Sequence, residues 1–367
     1  MRIANNLFCF IAFFCFLGIN GRPAAADQPP QIAGCDLFPC DSYWNTPVDQ
    51  LPVDASSSAY IESIGVNTGL HADFGSGLWD GGPIGIPYVD VPGSQPPIAV
   101  SFDYDDESDP GPYPIPPDAP IEGGSLGDGD RHVLVLERDS CALYEIYDAR
   151  PNPENSWHGG SGAVFDLNAH ELRPAGWTSA DAAGLPILPG LIRYDEAASG
   201  QIRHAIRFTV SQTRNVYVWP ARHYASSLTG AQYPPMGQWF RLKADYDITG
   251  FSAMNQSILQ AMKTYGLILA DNGSNLYISG VPDERWDNDD LHELQQVVGG
   301  NFEAVDVSSL VLNPDSGRAK RSLSDIIRYL HVITGLDTTS FACDITGEGV
   351  AGLGDAIYGM QQLAGYP

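Results

Sequence analysis

The sequence predicts a mainly β fold, a sandwich or a distorted barrel with two or three packed helices. Short runs of alternating apolar and polar residues recur through residues 35–310, and turns rich in Gly, Pro and Asn separate them. Amphipathic helical patterns are few in the same stretch. These observations define a main domain over residues 27–310, which is long enough to bury a substantial core.

The first 26 residues have the composition of a signal peptide. A positive charge at Arg2 precedes an apolar block over residues 7–17, and small residues follow at 24–26. The block is shorter than the roughly 20 residues that a membrane span needs, and no later run reaches that length. We therefore expect a secreted protein without a membrane anchor.

The cysteines predict disulfide bonds, because an exported chain meets an oxidising compartment. Two of the six fall in the predicted signal peptide, and four remain: Cys35, Cys40, Cys141 and Cys343. Cys35 and Cys40 are close enough in sequence to close a small loop. In that case the other two are either paired across a long span or both free, and the spacing does not choose between these alternatives.

The charge of the chain limits its partners. The formal net charge is −26, with 45 acidic residues against 19 Lys and Arg. Nucleic acids and polyanionic glycans are therefore poor candidates, because their recognition depends on basic residues. A neutral glycan, or a substrate held through calcium, fits better. The acidity is equally well explained as a means of keeping an exported protein in solution.

Residues 186–210 predict a central hairpin. In its second strand His204 lies on the same side as a row of large apolar residues, which predicts that its imidazole is buried. The next strand pattern places Tyr217, Trp219 and His223 on one side. These side chains suit a shared catalytic and substrate-binding site, whereas each histidine taken alone suits a hydrogen-bonded structural role.

Two irregular segments precede this hairpin. The glycine-rich loop 70–82 holds Asp73, Trp79 and Asp80, a combination of carboxylates and an aromatic ring suited to sugar binding and cleavage. The proline-rich stretch 105–130 favours an extended chain that forms one wall of a groove, and disorder is the alternative.

A helix and a turn are well marked after the hairpin. Ser252 caps an amphipathic helix that Gly266 ends, and Asp287 starts another helix. Between them, Asp271 stands before Asn-Gly, the strongest two-strand turn signal. We therefore interpret Asp271 as a turn residue rather than a catalytic one.

Glycoside hydrolysis needs two carboxyl groups about 5–10 Å apart, one of which keeps its proton. Besides Asp73 and Asp80, Glu145 is a candidate, because it lies on the apolar side of a strand where burial raises a carboxyl pKa. An ion pair with a neighbouring arginine is the alternative. A metal site is a further alternative, built from the scattered side chains His71, Asp73, His132, His204 and His223.

The C-terminal residues 311–367 contain an internal repeat. The pattern of residues 323–335 recurs at 353–365, and the loop 344–355 has Gly at its sixth position and oxygen-bearing side chains at its first, third and fifth. This unit resembles a dockerin, a small all-α module of paired calcium loops and helices. The resemblance implies a structural calcium ion and a cohesin-like partner. The calcium ligands that it implies are Asp344, Thr346, Glu348, the Val350 carbonyl and Asp355. The first copy lacks ligands, and a folded terminal cap is the alternative role.

The main domain, about residues 40–305, also resembles secreted bacterial proteins, which implies export but no mechanism. Taken together, the sequence predicts a secreted polysaccharide-active hydrolase that uses carboxylates with histidine support. The alternatives are a non-catalytic glycan-binding or surface-attachment protein, and a metal-dependent enzyme that uses the histidines.

Overall fold

A computed structural model describes residues 29–153, 155–336, 343–346 and 351–364. The predicted signal peptide and the predicted ligands Glu348 and Val350 lie outside these residues. The fold is mainly β, with several sheets and few helices. The strands in the first half are β1 (Gln31–Ile32), β2 (Cys35–Asp36), β3 (His71–Asp73), β4 (Leu78–Trp79), β5 (Gly82–Pro83), β6 (Tyr88–Val91), β7 (Val100–Phe102), β8 (Val133–Glu137), β9 (Ala142–Tyr147), β10 (Arg150–Asn152), β11 (Ser156–Gly159) and β12 (Ser161–Asp166).

The second half holds the remaining strands and most of the helices. The strands are β13 (Ile206–Val210), β14 (Arg214–Tyr217), β15 (Pro235–Met236), β16 (Trp239–Leu242), β17 (Leu267–Asn272), β18 (Tyr277–Ser279) and β19 (Phe302–Val305). The α-helices of the described residues are α1 (Ser57–Ile64), α2 (Tyr194–Ser199), α3 (Ala253–Thr264), α4 (Asn288–His292), α5 (Leu323–Ile333) and α6 (Leu353–Leu363).

Two sheets dominate the main domain. One has six strands in the order β19-β16-β17-β13-β18-β3, and the other has four in the order β12-β9-β8-β6. The edge strands β19 and β3 do not pair with each other, so the described strands form separate open sheets. The barrel alternative of the sequence prediction is therefore wrong. Strands β8 and β9 of the four-stranded sheet form an antiparallel hairpin around residues 138–140.

The predicted central hairpin over residues 186–210 is not formed. Its second half is β13, but its first half is a 3-10 turn at Leu188–Gly190 followed by α2. Acidic residues in the first turn of α2 favour that helix, and Gly200 ends it in the left-handed conformation at φ 78°. Gly200 therefore caps this helix, and the chain does not turn back there as a hairpin.

The predicted Asn-Gly hairpin is also wrong. Strands β17 and β18 lie in one sheet, but β13 stands between them and pairs parallel with β17 and antiparallel with β18. Asp271 and Asn272 are the last two residues of β17, not a two-residue turn. Nothing in the local turn signal reports this insertion, because it depends on a pairing about 60 residues away in the chain.

The insertion gives the six-stranded sheet a polar side. Thr209 of β13 pairs with Asp271 on one neighbouring strand and with Tyr277 on the other, and Tyr277 in turn pairs with His71. Side chains at paired positions project to the same face. The same side carries Arg207, two residues before Thr209. We call this face the polar face of the sheet.

The amphipathic helix α3 is confirmed. Ser252 accepts a hydrogen bond from the Asn255 amide at 3.1 Å, and Gly266 follows the helix at φ 75°. Ile258, Leu259 and Met262 are fully buried, so the helix contributes its apolar side to the main core. Asp287 caps α4 through hydrogen bonds from the amides of its first turn, as its position predicts.

Two disulfides join distant parts of the chain. Cys35 pairs with Cys141, and Cys40 pairs with Cys343. The small Cys35–Cys40 loop is therefore not closed. The second bond fastens the C-terminal region to the start of the main domain. There α5 and α6 pack closely, with Gly359 of α6 against Ile326 of α5.

Candidate functional site

A cleft of about 370 Å³ opens beside the polar face of the six-stranded sheet. This is within the usual size range of small-molecule sites. We call it the Asp271 cleft. Its lining residues are Tyr104, Glu107, Asp130, Tyr147, Ser161, Thr178, Ser179, Ala180, Asp181, Ala182, His223, Ala225, Asp271 and Asn272.

Two aspartates of the cleft lining share one buried arginine. Arg207 donates from Nε and Nη2 to the two oxygens of Asp181, at 2.7 and 2.8 Å, and from Nη2 to Asp271 at 3.3 Å. Its Nη1 donates to Ser279 Oγ at 2.6 Å. Asp181 is fully buried, whereas the side chain of Asp271 is 19 % exposed. Asp271 is therefore the member of this group that solvent and ligands reach.

The surroundings of Asp271 favour the protonated form of its side chain. Burial raises its pKa well above the usual carboxyl range, and the negative charge of the adjacent Asp181 raises it further. Arg207 opposes this rise, but Asp181 already occupies that guanidinium in two-point contact. The close approach of Asp181 adds to this rise. These surroundings favour the protonated form of Asp271.

An ion pair inside the protein fixes the segment that carries Asp181. His132 is 1 % exposed, its Nδ1 lies 2.6 Å from Glu122, and its Nε2 lies 3.0 Å from the Ala180 carbonyl. Both ring nitrogens thus face acceptors, so the ring is a cation that donates from both. Burial opposes this charge, but Glu122 outweighs it and raises the pKa of His132 to about 9. The pair holds residue 180 and its neighbour Asp181 in place.

Another part of the cleft lining presents a carboxylate with a histidine beside it. Glu107 accepts a hydrogen bond from the Thr178 amide at 3.1 Å, and His223 Nε2 lies 3.8 Å from the same Glu107 oxygen. The other nitrogen of His223, Nδ1, lies 2.8 Å from the Ala182 carbonyl and donates to it. Glu107 is therefore an oriented carboxylate, and His223 is the one predicted catalytic residue that lines the cleft.

Two tyrosines give the cleft flat apolar surfaces. Tyr104 is exposed, and its amide donates to the Gly160 carbonyl at 2.9 Å. The ring of Tyr147 lies directly over Gly160, where a Cβ atom would come within 2.6 Å of the ring. Gly160 is thus needed for the ring position. Such rings suit stacking against the apolar faces of sugars.

Asp73 lies close to this group, as the last residue of β3 paired with Ser279. Its side chain reaches solvent, yet desolvation by its surroundings raises its pKa. His71 opposes the rise, and Glu122 and then Asp130 add to it. The ring of His71 stacks on Tyr277 with centroids 4.1 Å apart. These predicted residues border the polar face but do not line the Asp271 cleft.

Glu145, predicted as a catalytic acid, is a structural residue in this fold. It is 0 % exposed, and its carboxylate accepts hydrogen bonds from the amides of Ile187 and Leu188 at 2.8–3.0 Å. Burial raises its pKa to about 7, although these amide bonds oppose the rise. The alternative ion pair is not formed either, because the partners are the amides that open the 3-10 turn.

His204 is also interior. It is 1 % exposed, with Nδ1 2.8 Å from the Ala205 carbonyl and Nε2 3.3 Å from Glu196. Glu196 itself is paired with Arg193 at 2.7 Å. Burial opposes the ionisation of Glu196, but Arg193 and His204 outweigh it and lower the pKa of this carboxyl to about 2. His204 thus belongs to a buried ion-pair group beneath α2, away from the cleft.

The predicted aromatic residues are dispersed. Trp219 donates from Nε1 to the Ser316 carbonyl at 2.9 Å and packs on Tyr43, and Tyr217 is half-buried at the end of β14. Strand β14 stops at Tyr217, so Trp219 and His223 do not share a strand with it. Trp79 is 79 % exposed on β4, and Asp80 forms the adjoining turn at φ 49°. We find no contact of either with the cleft.

The described part of the predicted calcium loop forms a helix cap. Asp355 Oδ1 accepts hydrogen bonds from the amides of Ile345 and Thr346 at 2.7 and 2.9 Å and from Thr346 Oγ1 at 3.1 Å, and Oδ2 accepts one from Gly352 at 2.6 Å. A calcium ion would need Asp355 to give up some of these donors. Calcium binding remains a prediction, which also involves Asp344.

The sequence interpretation missed the central residues of the site. Arg207 carries one signal that the sequence offers. It alternates with the apolar residues of β13, so it lies on the opposite face of a strand that the prediction already placed in the core. An arginine there needs a carboxylate partner. Asp271 was assigned to a turn, and its pairing partner was not identifiable locally.

Comparison of the chain with protein-family models, with curated proteins and with solved structures finds no match. Among the described residues, no three or more His, Cys, Asp or Glu side chains form a group that could hold a metal ion. In the same part of the chain, no helix has the length and apolar character needed to cross a membrane.

Proposed function

We propose that this protein is a secreted hydrolase that cleaves a glycan in the Asp271 cleft. One observation carries the proposal. Asp271 faces a cleft of ligand size, and Arg207 Nη2 joins it to the fully buried Asp181, which the same guanidinium holds in two-point contact. Burial and the neighbouring Asp181 raise the pKa of Asp271. A protonated carboxyl group at the cleft surface is the requirement for protonating a glycosidic oxygen.

The second carboxylate that glycoside hydrolysis needs is Glu107. It lines the same cleft, and the Thr178 amide fixes its orientation. The amide-oriented carboxylate of Glu107 is the group that we assign as base or nucleophile in this cleft. His223 lies beside it and supplies the histidine support that the sequence predicts.

The secreted location rests on other features. The charged and then apolar start of the chain has the pattern of a signal peptide, and both disulfides are of the kind that form in an oxidising compartment. Secretion suits an enzyme whose substrate is a polymer too large to enter a cell.

The test is a reducing-end release screen over plant, algal and fungal glycans. The wild-type protein should release ends from one class, and Asp271→Asn should lower kcat by about 10²- to 10⁴-fold, the usual contribution of a general acid. Circular dichroism should show the variant folded. Glu62→Gln, an exposed carboxyl-to-amide change on α1, is the matched control and should keep full activity.

Binding without release, unaffected by Asp271→Asn, would instead support the non-catalytic glycan-binding function. Release that persists at the wild-type rate in Asp271→Asn would contradict the assignment of the acid.

A docking role for the C-terminal helices is a second proposal, and a specific surface favours it. Equivalent positions of the repeat expose apolar side chains on both helices: Leu323 and Leu353, Ile327 and Ile357, and Ile333 and Leu363. A repeated apolar surface of this kind fits a cohesin-like partner. Ile327→Asp with Ile357→Asp should abolish capture by an immobilised cohesin and leave glycan cleavage unchanged. Capture that survives the double change would contradict this proposal.

A further inference from the structure

We propose that the substrate of the Asp271 cleft is a glycan with free amino groups, and that Asp130 binds one of its ammonium groups. The inference rests on the proposed function and narrows its substrate class. The acidic composition alone favours a neutral glycan, whereas the arrangement of charges inside the cleft favours a positively charged one.

The cleft has an excess of negative charge. Among the described residues that line it, four are acidic and none is Lys or Arg: Glu107, Asp130, Asp181 and Asp271. Arg207 contacts Asp181 and Asp271 and so offsets part of this charge. The carboxyl groups of the lining still outnumber the basic side chains that contact them in the described residues. A sulfated or uronate chain would be repelled, and a chain of ammonium groups would be attracted.

The carboxylate of Asp130 lines the cleft and has no structural role of its own in the described residues. Its side chain is exposed, and within the described residues its carboxylate has no hydrogen bond or ion pair. Its backbone is nevertheless held, because its carbonyl accepts a hydrogen bond from the Asp148 amide at 2.8 Å. The next residue, Arg131, donates to carbonyls of the preceding loop, including that of Gly127 at 2.7 Å. The carboxylate is thus presented from a fixed support.

Neighbouring groups respond to the charge of Asp130. Burial is the first cause of the raised pKa of Asp271, of Asp73 and of Tyr147, and Asp130 adds to the rise in each case. The carboxylate is therefore within electrostatic reach of both the acid and the ring of the cleft.

The cation that fits is an extended organic one. The cleft volume of about 370 Å³ and the faces of Tyr104 and Tyr147 suit a sugar ring with an attached ammonium group. Polyglucosamine has this chemistry.

Titration calorimetry with the exported chain carrying Asp271→Asn separates binding from cleavage. The ligands are a glucosamine hexamer, its N-acetylated counterpart and a glucose hexamer, at pH 6 and low salt. We expect the glucosamine hexamer to bind at least about tenfold more tightly than the other two ligands, because a hydrogen bond to a charged group strengthens binding by about that factor. Adding Asp130→Asn should remove this preference, and higher salt should weaken it. Adding Glu62→Gln should leave it intact.

Equal affinity for the three sugars, a preference that Asp130→Asn leaves unchanged, or no binding of any of them would overturn the inference. Binding of trilysine as tightly as the glucosamine hexamer would also overturn it, because it would mean that the cleft prefers a basic peptide. These outcomes differ from failure of the proposed function, which appears as wild-type cleavage of any glycan by Asp271→Asn.

Discussion

Two buried carboxyl groups of this protein, Glu145 in the interior and Asp271 in the cleft, differ in what surrounds them. Burial raises the pKa of both. Glu145 is closed off from solvent, and its oxygens are occupied by the amides of Ile187 and Leu188. Asp271 instead touches side chains that are themselves charged, and it opens on a cleft. Burial alone is enough to raise the pKa of a carboxyl group, so a raised pKa does not by itself identify a functional site. Access to a ligand distinguishes Asp271 from Glu145.

The largest expected effect tests the interior member of this comparison. Glu145→Ala leaves two buried amides without acceptors and also creates a cavity, so it should lower the free energy of unfolding by roughly 3–5 kcal/mol. Urea unfolding at pH 6 measures it. Asp271→Asn keeps the side-chain volume and most contacts, and should change stability by less than about 1 kcal/mol. Equal losses of stability in Glu145→Ala and Asp271→Asn would contradict this distinction between the two carboxyl groups.

The pH dependence of stability gives a second test of Glu145. Its pKa is about 7 in the folded protein against an ordinary 4.5, so the folded state binds its proton more tightly. The contribution of Glu145 is therefore present below pH 4.5 and is lost as the pH rises toward 7. Between pH 5 and 6.5 the wild type should lose about 2 kcal/mol relative to Glu145→Gln.

Between pH 5 and 6.5, the titrations of Glu196 and His132 do not account for this loss of stability. Glu196 has a pKa lowered to about 2 because Arg193 and His204 outweigh its burial, so its contribution is lost only as the pH falls below the ordinary value of 4.5. His132 has a pKa of about 9 because Glu122 outweighs its burial, so its contribution is lost above the ordinary value of 6.5. A flat difference between wild type and Glu145→Gln from pH 5 to 6.5 would show that the interior carboxyl keeps its ordinary pKa.

A smaller effect is expected at His204, which resembles Glu145 in burial and not Asp271 in access. His204→Gln should lower the free energy of unfolding by about 1–3 kcal/mol, through loss of hydrogen bonds to Ala205 and Glu196. Glycan cleavage should stay at the wild-type rate. His223→Gln is the matched change in the cleft and should have the reverse profile, with cleavage reduced and stability nearly unchanged.

The smallest effect concerns the C-terminal loop. If the dockerin resemblance extends to function, titration calorimetry should detect about one calcium ion per chain, and Asp344→Ala should abolish that binding without altering cleavage. The cleft and the loop would then act independently. Two equal sites, or none in the wild type, would contradict the single-loop prediction.

Local signals predicted the parts of the fold that depend on nearby residues. The Ser252 cap, the stop at Gly266 and the start at Asp287 each act over a few positions, and the structure confirms the helices that they predict. The insertion of β13 between β17 and β18 is a long-range pairing, so a local Asn-Gly signal was misinterpreted there. The site depends on that insertion, because it brings Arg207 and Asp271 together.

The disulfides illustrate the same limit. Cys35 and Cys40 are close in sequence, yet each pairs with a partner more than 100 residues away. Among the predicted catalytic residues, His223 reaches the Asp271 cleft because its segment runs along the cleft wall. Glu145 and His204 have the residue type and the burial that the prediction required. The apolar residues on the same side of their strands, however, keep both side chains away from solvent and from any ligand.

The central proposal is that the raised pKa of Asp271 leaves a proton on this side chain at neutral pH, where the cleft substrate reaches it. Infrared difference spectroscopy at pH 7 measures this directly, because protonated and ionised carboxyl groups absorb in separate regions. The spectrum of wild type minus Asp271→Asn should contain a protonated carboxyl band, and the band should remain when both proteins also carry Glu145→Gln. A difference spectrum with only an ionised carboxylate at position 271 would contradict the account.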